Sequence, residues 1–292
     1  MDAIEREIAS QPQAWREAAA RAQEVAKHLP ASGDRLAIIG CGTSYFIAQS
    51  LAALREAAGH GEADAFVASE MGETRAYDAV LAVSRSGTTT EVLRALERLR
   101  TGVPTLAICA VPNTPVADAV DHRVILEFAD EEAIVQTRFP TTVLALVRAH
   151  LADGVESVAQ AGEEVLAEQL PEHLAEFGRF VFLGTGWAIG VANEAALKLR
   201  EAAGAWSESY PEMEFRHGPV SATNSSTLVW AIGPVDRDVL EAAAQAGATV
   251  LDHGRDPMAE LVLVQRAAVA LAHARGFDPN RPRHLSRSVV LS

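Results

Sequence analysis

Positive charge is scarce in this sequence. Lys and Arg number 25 against 39 Asp and Glu, a formal net charge of −14, and the lysines are Lys27 and Lys198 alone. A nucleic-acid binder needs a basic face to displace phosphate counterions, so the charge balance argues against that class. An anionic ligand must then be held locally, by backbone N–H groups, hydroxyls or a placed arginine. Cysteine is scarcer still. Cys41 and Cys109 are too few for a disulfide framework or a structural zinc site. Both adjoin apolar runs (LAIIGC and TLAIC), where a buried free thiol is expected. No apolar run approaches the length of a membrane span. The opening MDAIEREIASQPQAW is acidic where a signal peptide is apolar. The expectation is a soluble, cytoplasmic protein with no membrane or nucleic-acid partner. Nothing resembles H-E-x-x-H, and neither a metal nor a cofactor is expected.

What is present is a globular composition, 49% hydrophobic and 22% charged over 292 residues, enough for two domains. Residues 2–29 have helical periodicity through Ile4, Ile8, Trp15, Ala18, Ala22 and Val25, with Pro12 ending or kinking the first turns. Short apolar strands then alternate with helices. Strands are predicted at 36–40, 63–70, 79–84, 103–110 and 122–128, with a helix through FIAQSLAALREAAG and another over 87–102. Near-continuous apolar strands in this alternation point to a parallel sheet with helices on both faces. Residues 141–152 turn helical and 153–176 form a connecting helix. A second set has strands at 179–184, 226–233 and 248–252 and a long apolar helix at 258–276.

The halves align. Gly40-x-Gly42 answers Gly184-x-Gly186, and Leu54-Arg-Glu-Ala-Ala-Gly59 answers Leu199-Arg-Glu-Ala-Ala-Gly204. An apolar strand, a G-x-G turn and a helix precede the hexapeptide in both, so two similar α/β domains are expected. The predicted division is an N-terminal helical segment (1–33), a first domain (34–152), a helical linker (153–176) and a second domain with the C-terminal tail (177–292).

Ligands of open α/β sheets bind at the carboxyl ends of strands, where helix N-termini attract anions. Two turns there carry hydroxyls. One is GCGTSY (40–45), with Thr43 and Ser44. The other is SRSGTTT (84–90), with five hydroxyls around Gly87, a good phosphate cradle; the plainer alternative is helix N-capping. Arg85 adds a charge-assisted contact or is simply exposed. No P-loop motif occurs, and the G-x-G turns lack the spacing of a dinucleotide fingerprint. In the second half, Glu194, Lys198 and Glu201 share one helix face, as a solvated ladder or as acid/base groups. The loop EMEFRHGP (212–219) sets His217 beside carboxylates as a proton carrier, and the first half has no counterpart.

These motifs resemble the sugar isomerase (SIS) domain proteins. The similarity is closest to the isomerase half of glucosamine-6-phosphate synthase and its amino-sugar-phosphate deaminase and ketose isomerase relatives. It runs through E-I-x-x-Q-P (7–12), GCGTSY, ASE (68–70), S-x-SG-x-T (84–89), TRFPTT (137–142), EAALKLRE (194–201), EFRHGP (214–219) and PRHLSRSV (282–289). No amidotransferase domain precedes them, so a full synthase is not expected. The resemblance implies two flavodoxin-like, doubly wound SIS domains in tandem and a homodimer. It implies a phosphate on Ser44, Ser84, Arg85, Ser86 and Thr89, and a sugar lined by Gly42, Thr43 and Arg287. Glu201 would move a proton between C1 and C2 with Lys198 as charge partner, and His217 would open the ring, reaching across from the neighbouring subunit. EFRHGP is nearer the deaminase and ketose-isomerase form. Three positions depart from the family. Arg287 stands where the synthase has an imine-forming lysine, a part arginine cannot play at neutral pH; Arg85 replaces a glutamine and Arg138 a lysine. The second domain is also short between 233 and 276. The expected function is an isomerase/deaminase of an amino-sugar 6-phosphate, with a phosphosugar sensor or a fructosamine-6-phosphate deglycase as alternatives.

Overall fold

A computed structural model describes residues 1–72, 75–99 and 102–291. The helices in chain order are α1 (Ala3–Ala9), α2 (Gln11–Val25), α3 (Thr43–Ala57), α4 (Thr90–Glu97), α5 (Pro115–Asp118), α6 (Arg138–His150), α7 (Val155–Ala167), α8 (Ala188–Ala203), α9 (Glu212–Phe215), α10 (Arg237–Gln245) and α11 (Pro257–Ala274). The strands are β1 (Leu36–Gly40), β2 (Ala63–Val67), β3 (Ala79–Val83), β4 (Thr105–Cys109), β5 (His122–Ile125), β6 (Arg179–Gly184), β7 (Ser207–Pro211), β8 (Thr227–Ala231) and β9 (Thr249–Leu251).

Packing divides the chain into two compact units. An N-terminal unit holds residues 13–132, 136–156 and 286–292, and a C-terminal unit holds 1–12, 133–135 and 157–285. Where contiguous segments were expected, α1 goes with the C-terminal unit and the last residues with the N-terminal one. The reason for the first is local: the Asn280 side chain accepts from the Ile4 N–H at 2.9 Å and donates to Asp2 at 3.0 Å. The predicted helix over 2–29 is two helices broken at Ser10. α1 starts in a capping box made by Asp2 and Glu5. Pro12 falls in the first turn of α2, where its missing N–H costs no helical bond.

The sheet of the N-terminal unit is fully parallel, in the order β2-β1-β3-β4-β5. β1 and β3 are buried at every position, as their unbroken apolar sequences require, while the edge strand β2 is half-buried throughout. Residues 68–70, predicted as strand, form a 3-10 turn. The predicted helix over 87–102 includes residues 100 and 101, which lie outside the described residues; α4 covers Thr90–Glu97.

The sheet of the C-terminal unit is also parallel, in the order β7-β6-β8-β9. The edge strand β7, SESYP, pairs only with β6. Its polar sequence carries no strand signal, which is why the sequence did not predict it. The connecting segment 153–176 is shorter in helix than expected: α7 and then a 3-10 turn at Leu174–Glu176. Both sheets with their covering helices bear out the doubly wound α/β fold class.

The duplicated turns share one geometry. Gly42 and Gly186 both sit at φ 54°. A Cβ on Gly40 would lie 2.6 Å from the Ser44 carbonyl carbon, and one on Gly184 would lie 2.5 Å from the Ala188 oxygen. Each strand thus ends on a glycine so that the next helix can start directly against it. Gly40→Ala and Gly184→Ala should each lose about 1–3 kcal/mol of unfolding free energy through overpacking. Gly178→Ala, whose nearest neighbour is a serine side chain at 3.6 Å, should stay within about 0.5 kcal/mol. Urea denaturation of the three variants checks this.

Candidate functional site

In the N-terminal unit, β1 and β3 deliver the two hydroxyl turns to the same edge of the sheet. Gly42 is the N-cap of α3 and offers no side chain, and Thr43 and Ser44 follow it, both buried. After β3 come Ser84, Arg85 and Ser86, also buried. The loop is braced from within. Ser84 Oγ accepts from the Gly87 N–H at 3.2 Å, and Ser86 Oγ accepts from the Thr88 N–H at 3.3 Å. Gly87, at φ 65°, admits no other residue, because a Cβ there would lie 2.0 Å from Thr114 Oγ1. Thr89 is the N-cap of α4 but makes no capping bond with its side chain. Simple capping therefore does not account for these hydroxyls.

The C-terminal tail is bonded to this loop within the same unit. Thr88 Oγ1 lies 3.1 Å from Ser86 Oγ and 2.9 Å from Ser288 Oγ. The Thr90 N–H donates to the Val289 carbonyl at 3.2 Å, and the Leu291 N–H donates to Thr90 Oγ1 at 2.9 Å. Arg85 is only 2% exposed, which removes the exposed-arginine alternative. Its guanidinium donates to the carbonyls of Arg287, at 2.9 Å, and Glu131, at 3.5 Å. Arg287 in turn donates to the Glu131 carbonyl and pairs with the Asp130 carboxylate at 2.5 Å. The Glu131 carboxylate accepts from the N–H groups of Thr137, Arg138 and Phe139, at 2.6, 2.7 and 3.4 Å, and so closes the start of α6. Arg138 donates to the Asp130 carbonyl.

In the C-terminal unit, α8 carries Glu194, Lys198 and Glu201. The solvated-ladder alternative fails, because Glu194 and Lys198 are buried and only Glu201, with a side chain 20% exposed, reaches the surface. Lys198 Nζ lies 3.2 Å from Glu194 and 2.5 Å from Glu201. Burial alone would push its ammonium down, but the two carboxylates outweigh it and hold the pKa above the ordinary lysine value. Lys198 is therefore a fixed cation and not a free amine, which suits a charge partner. Glu201 lines a pocket of about 410 Å³ with Arg200, Phe277, Arg281, Arg283 and His284.

His217 follows α9, whose Phe215 is buried and anchors the turn. Its N–H donates to the Glu214 carbonyl at 3.0 Å, Gly218 follows at φ 135°, and the histidine is exposed. It does not line the pocket beside Glu201.

Within the N-terminal unit the structure thus brings together Gly42, Thr43 and Ser44 on one turn. It also gathers Ser84, Arg85, Ser86, Thr89 and Arg287 about the other. Within the C-terminal unit it brings Lys198 to Glu201 and leaves His217 apart. Sequence reasoning counted Thr88 among the loop hydroxyls but missed Ser288, Asp130 and Glu131. Ser288 had a signal, its place in the PRHLSRSV motif. The acids had none.

Comparison with known proteins agrees with this architecture. The profile of the SIS domain family matches residues 31–151, so the chain carries an SIS domain there. Glutamine–fructose-6-phosphate aminotransferase (isomerizing) of Sulfurisphaera tokodaii is 25% identical over 89% of this chain and 50% of its own. The Chlamydia pneumoniae protein of that name is 28% identical over 89% and 52%. The chain spans about half the length of these curated relatives. Among solved structures, glucosamine-6-phosphate deaminase from Thermotoga maritima superposes with a TM-score of 0.82 at 26% identity, covering 98% of this chain and 99% of that one. Tagatose-6-phosphate ketose/aldose isomerase from Escherichia coli gives a TM-score of 0.77 at 22% identity over 96% of both chains, a likeness of fold.

Removing one partner of the buried ladder should strand the others. Glu194→Gln is expected to cost about 3–5 kcal/mol of stability. The apolar pair Glu194→Leu with Lys198→Met should cost less than the sum of the single changes. Urea denaturation of the singles and the double closes that cycle.

Proposed function

We propose that this SIS-type relative of phosphosugar isomerases is an isomerase/deaminase of an amino-sugar 6-phosphate. The observation that carries the reading is Glu201, a carboxylate on a pocket wall at the open end of an otherwise buried ion-paired ladder. A base in that position is held at one place by Lys198 and keeps access to a ligand.

The phosphate is assigned to the hydroxyl turns: Ser44, Ser84, Ser86 and Thr89, at the starts of α3 and α4, where N–H groups and helix dipoles favour an anion. Arg85 acts there through its hold on the tail. Glu201 takes the proton from C2 of the open-chain 2-amino aldose and returns it at C1. The product is a ketose imine, and water adding at C2 releases ammonia. An anchored phosphate contributes by orientation, which is worth several kcal/mol in comparable intramolecular reactions. Lys198, held charged, pairs with Glu201 at 2.5 Å and keeps its side chain in one place between turnovers.

His217 is assigned to ring opening, as acid/base at the ring oxygen. Its exposure and its absence from the pocket beside Glu201 support service to a neighbouring copy in a homodimer. Arg287, with its guanidinium on Asp130 and Glu131, holds the tail and forms no imine.

Glu201→Gln should lower turnover of glucosamine 6-phosphate by about two to four decades and leave its binding, read by calorimetry, nearly unchanged. Thr89→Val should raise KM about tenfold through one lost bond to a charged oxygen, without a change in Tm. Full turnover in Glu201→Gln removes the reading. So does a wild-type protein that binds sugar phosphates and turns over none of a panel of aldose, ketose and amino-sugar 6-phosphates. For the subunit assignment, inactive Glu201→Gln and His217→Asn chains refolded together should regain activity in mixed dimers. No recovery places the histidine in its own subunit.

A further inference from the structure

Within the N-terminal unit, the loop after β3 is gripped from one side by the segment that leads from β4 into α5. The Ala110 N–H donates to the Arg85 carbonyl at 3.1 Å, and the Val116 N–H donates to the Gly87 carbonyl at 2.9 Å. Between the two donors stands Thr114, only 5% exposed. Its Oγ1 is buried and has no hydrogen-bond partner among the described residues. Thr114 is the N-cap of α5, and an N-cap hydroxyl ordinarily accepts from the N–H two or three residues on. Here its side chain makes no such bond, and the Val116 N–H goes to Gly87 instead. Ser84, Ser86 and Thr88, by contrast, all have partners in the loop or the tail. A buried hydroxyl left unpaired costs stability, and an apolar group of the same shape does not. Thr114 keeps an oxygen where packing alone favours a methyl.

That oxygen is aimed at Gly87. A Cβ on Gly87 would lie 2.0 Å from Thr114 Oγ1, 2.6 Å from its Cβ and 3.1 Å from its Cγ2. The α-hydrogen that takes this direction therefore points at the oxygen, a contact that an oxygen accepts and a larger methyl resists. This wall and the bond from Val116 hold Gly87 at φ 65°. Ser84 and Ser86 lie before it and Thr88 and Thr89 after it, so a rotation at Gly87 would part the two pairs of hydroxyls.

We propose that Thr114 is a positioning residue of this loop, fixing Gly87 so that the hydroxyls on its two sides meet one phosphate monoester. The proposal rests on the assignment of the phosphate to the hydroxyl turns, and it names the residue that holds their geometry. Thr114 Oγ1 is closed off from solvent and touches no ligand itself. It acts through the glycine.

Calorimetric titration of the full chain with glucosamine 6-phosphate and with inorganic phosphate tests this. Thr114→Val should raise Kd for both by about tenfold, which corresponds to about 1.4 kcal/mol, with the stoichiometry unchanged. A merely structural role would reduce the competent fraction of the protein, and so the stoichiometry, and leave Kd where it was. Thr114→Ser keeps the oxygen and should retain most of the affinity. Should Thr114→Val fail to fold, Thr114→Ala carries the same expectation. Because Thr114 acts through the loop, Thr114→Val with Thr89→Val should fall well short of the roughly hundredfold loss that two independent effects would give. An unchanged Kd in Thr114→Val beside a raised one in Thr89→Val overturns the proposal and leaves the phosphate assignment standing. The full hundredfold loss in the double variant overturns it too. A wild-type chain that binds neither ligand removes the phosphate assignment, and the proposal with it.

Discussion

Each half of the chain is organised by the contact between a strand-ending glycine and the first turn of the helix after it. At Gly40 and at Gly184 the helix backbone comes so close that a single added carbon has no room. That approach fixes where α3 and α8 begin and which way they point. From it follow the positions of Thr43 and Ser44 at one helix start and of Glu194, Lys198 and Glu201 along the other helix. These side chains of both units stand on helices whose placement depends on the absence of one methyl group.

The same duplicated frame has been put to different use in the two halves. Glu56 occupies in α3 the place that Glu201 occupies in α8, within the same Leu-Arg-Glu-Ala-Ala-Gly stretch. Glu56 accepts from the Ala63 N–H at 3.0 Å, so its carboxylate serves the first residue of β2. Glu201 is held by an ammonium three residues earlier and lies on a pocket wall. The residue three before Glu56 is Ala53, which offers no such partner. A lysine at one repeat position and an alanine at the other separate a carboxylate bonded to the backbone from one paired with an ammonium on a pocket wall. The hydroxyls divide in the opposite sense. Ser84, Ser86, Thr88 and Thr89 follow β3, whereas Ile232, Gly233, Pro234 and Val235 follow β8.

Legibility in the sequence tracked burial. β1, β3 and β8, buried at every position, announce themselves as apolar runs, and the repeat of strand, G-x-G turn and helix made the architecture readable. β7 was silent because an edge strand paired on one side needs little apolar surface. The hydroxyl loop was visible as a concentration of residue types. Which of those hydroxyls brace the loop and which face outward depends on Gly87 and Thr114, and no spacing rule encodes that contact. The role of Glu131 was invisible for a similar reason. An acid closing a helix from six residues upstream looks, in one dimension, like any other acid in an acidic chain.

Arg85 and Arg287 meet in the structure through backbone carbonyls. A guanidinium has five donors in a fixed plane and stays charged, so it is suited to gathering backbone oxygens that would otherwise be left without donors. Arg85 reaches the carbonyls of Arg287 and Glu131, and Arg287 reaches the same Glu131 carbonyl. The two side chains thereby tie the last residues to the hydroxyl loop. A lysine amine with a lowered pKa can form an imine at such a position, and an arginine cannot. Lys198 is equally unavailable, since two carboxylates keep it protonated. The described residues of this chain thus hold no free lysine amine at either place.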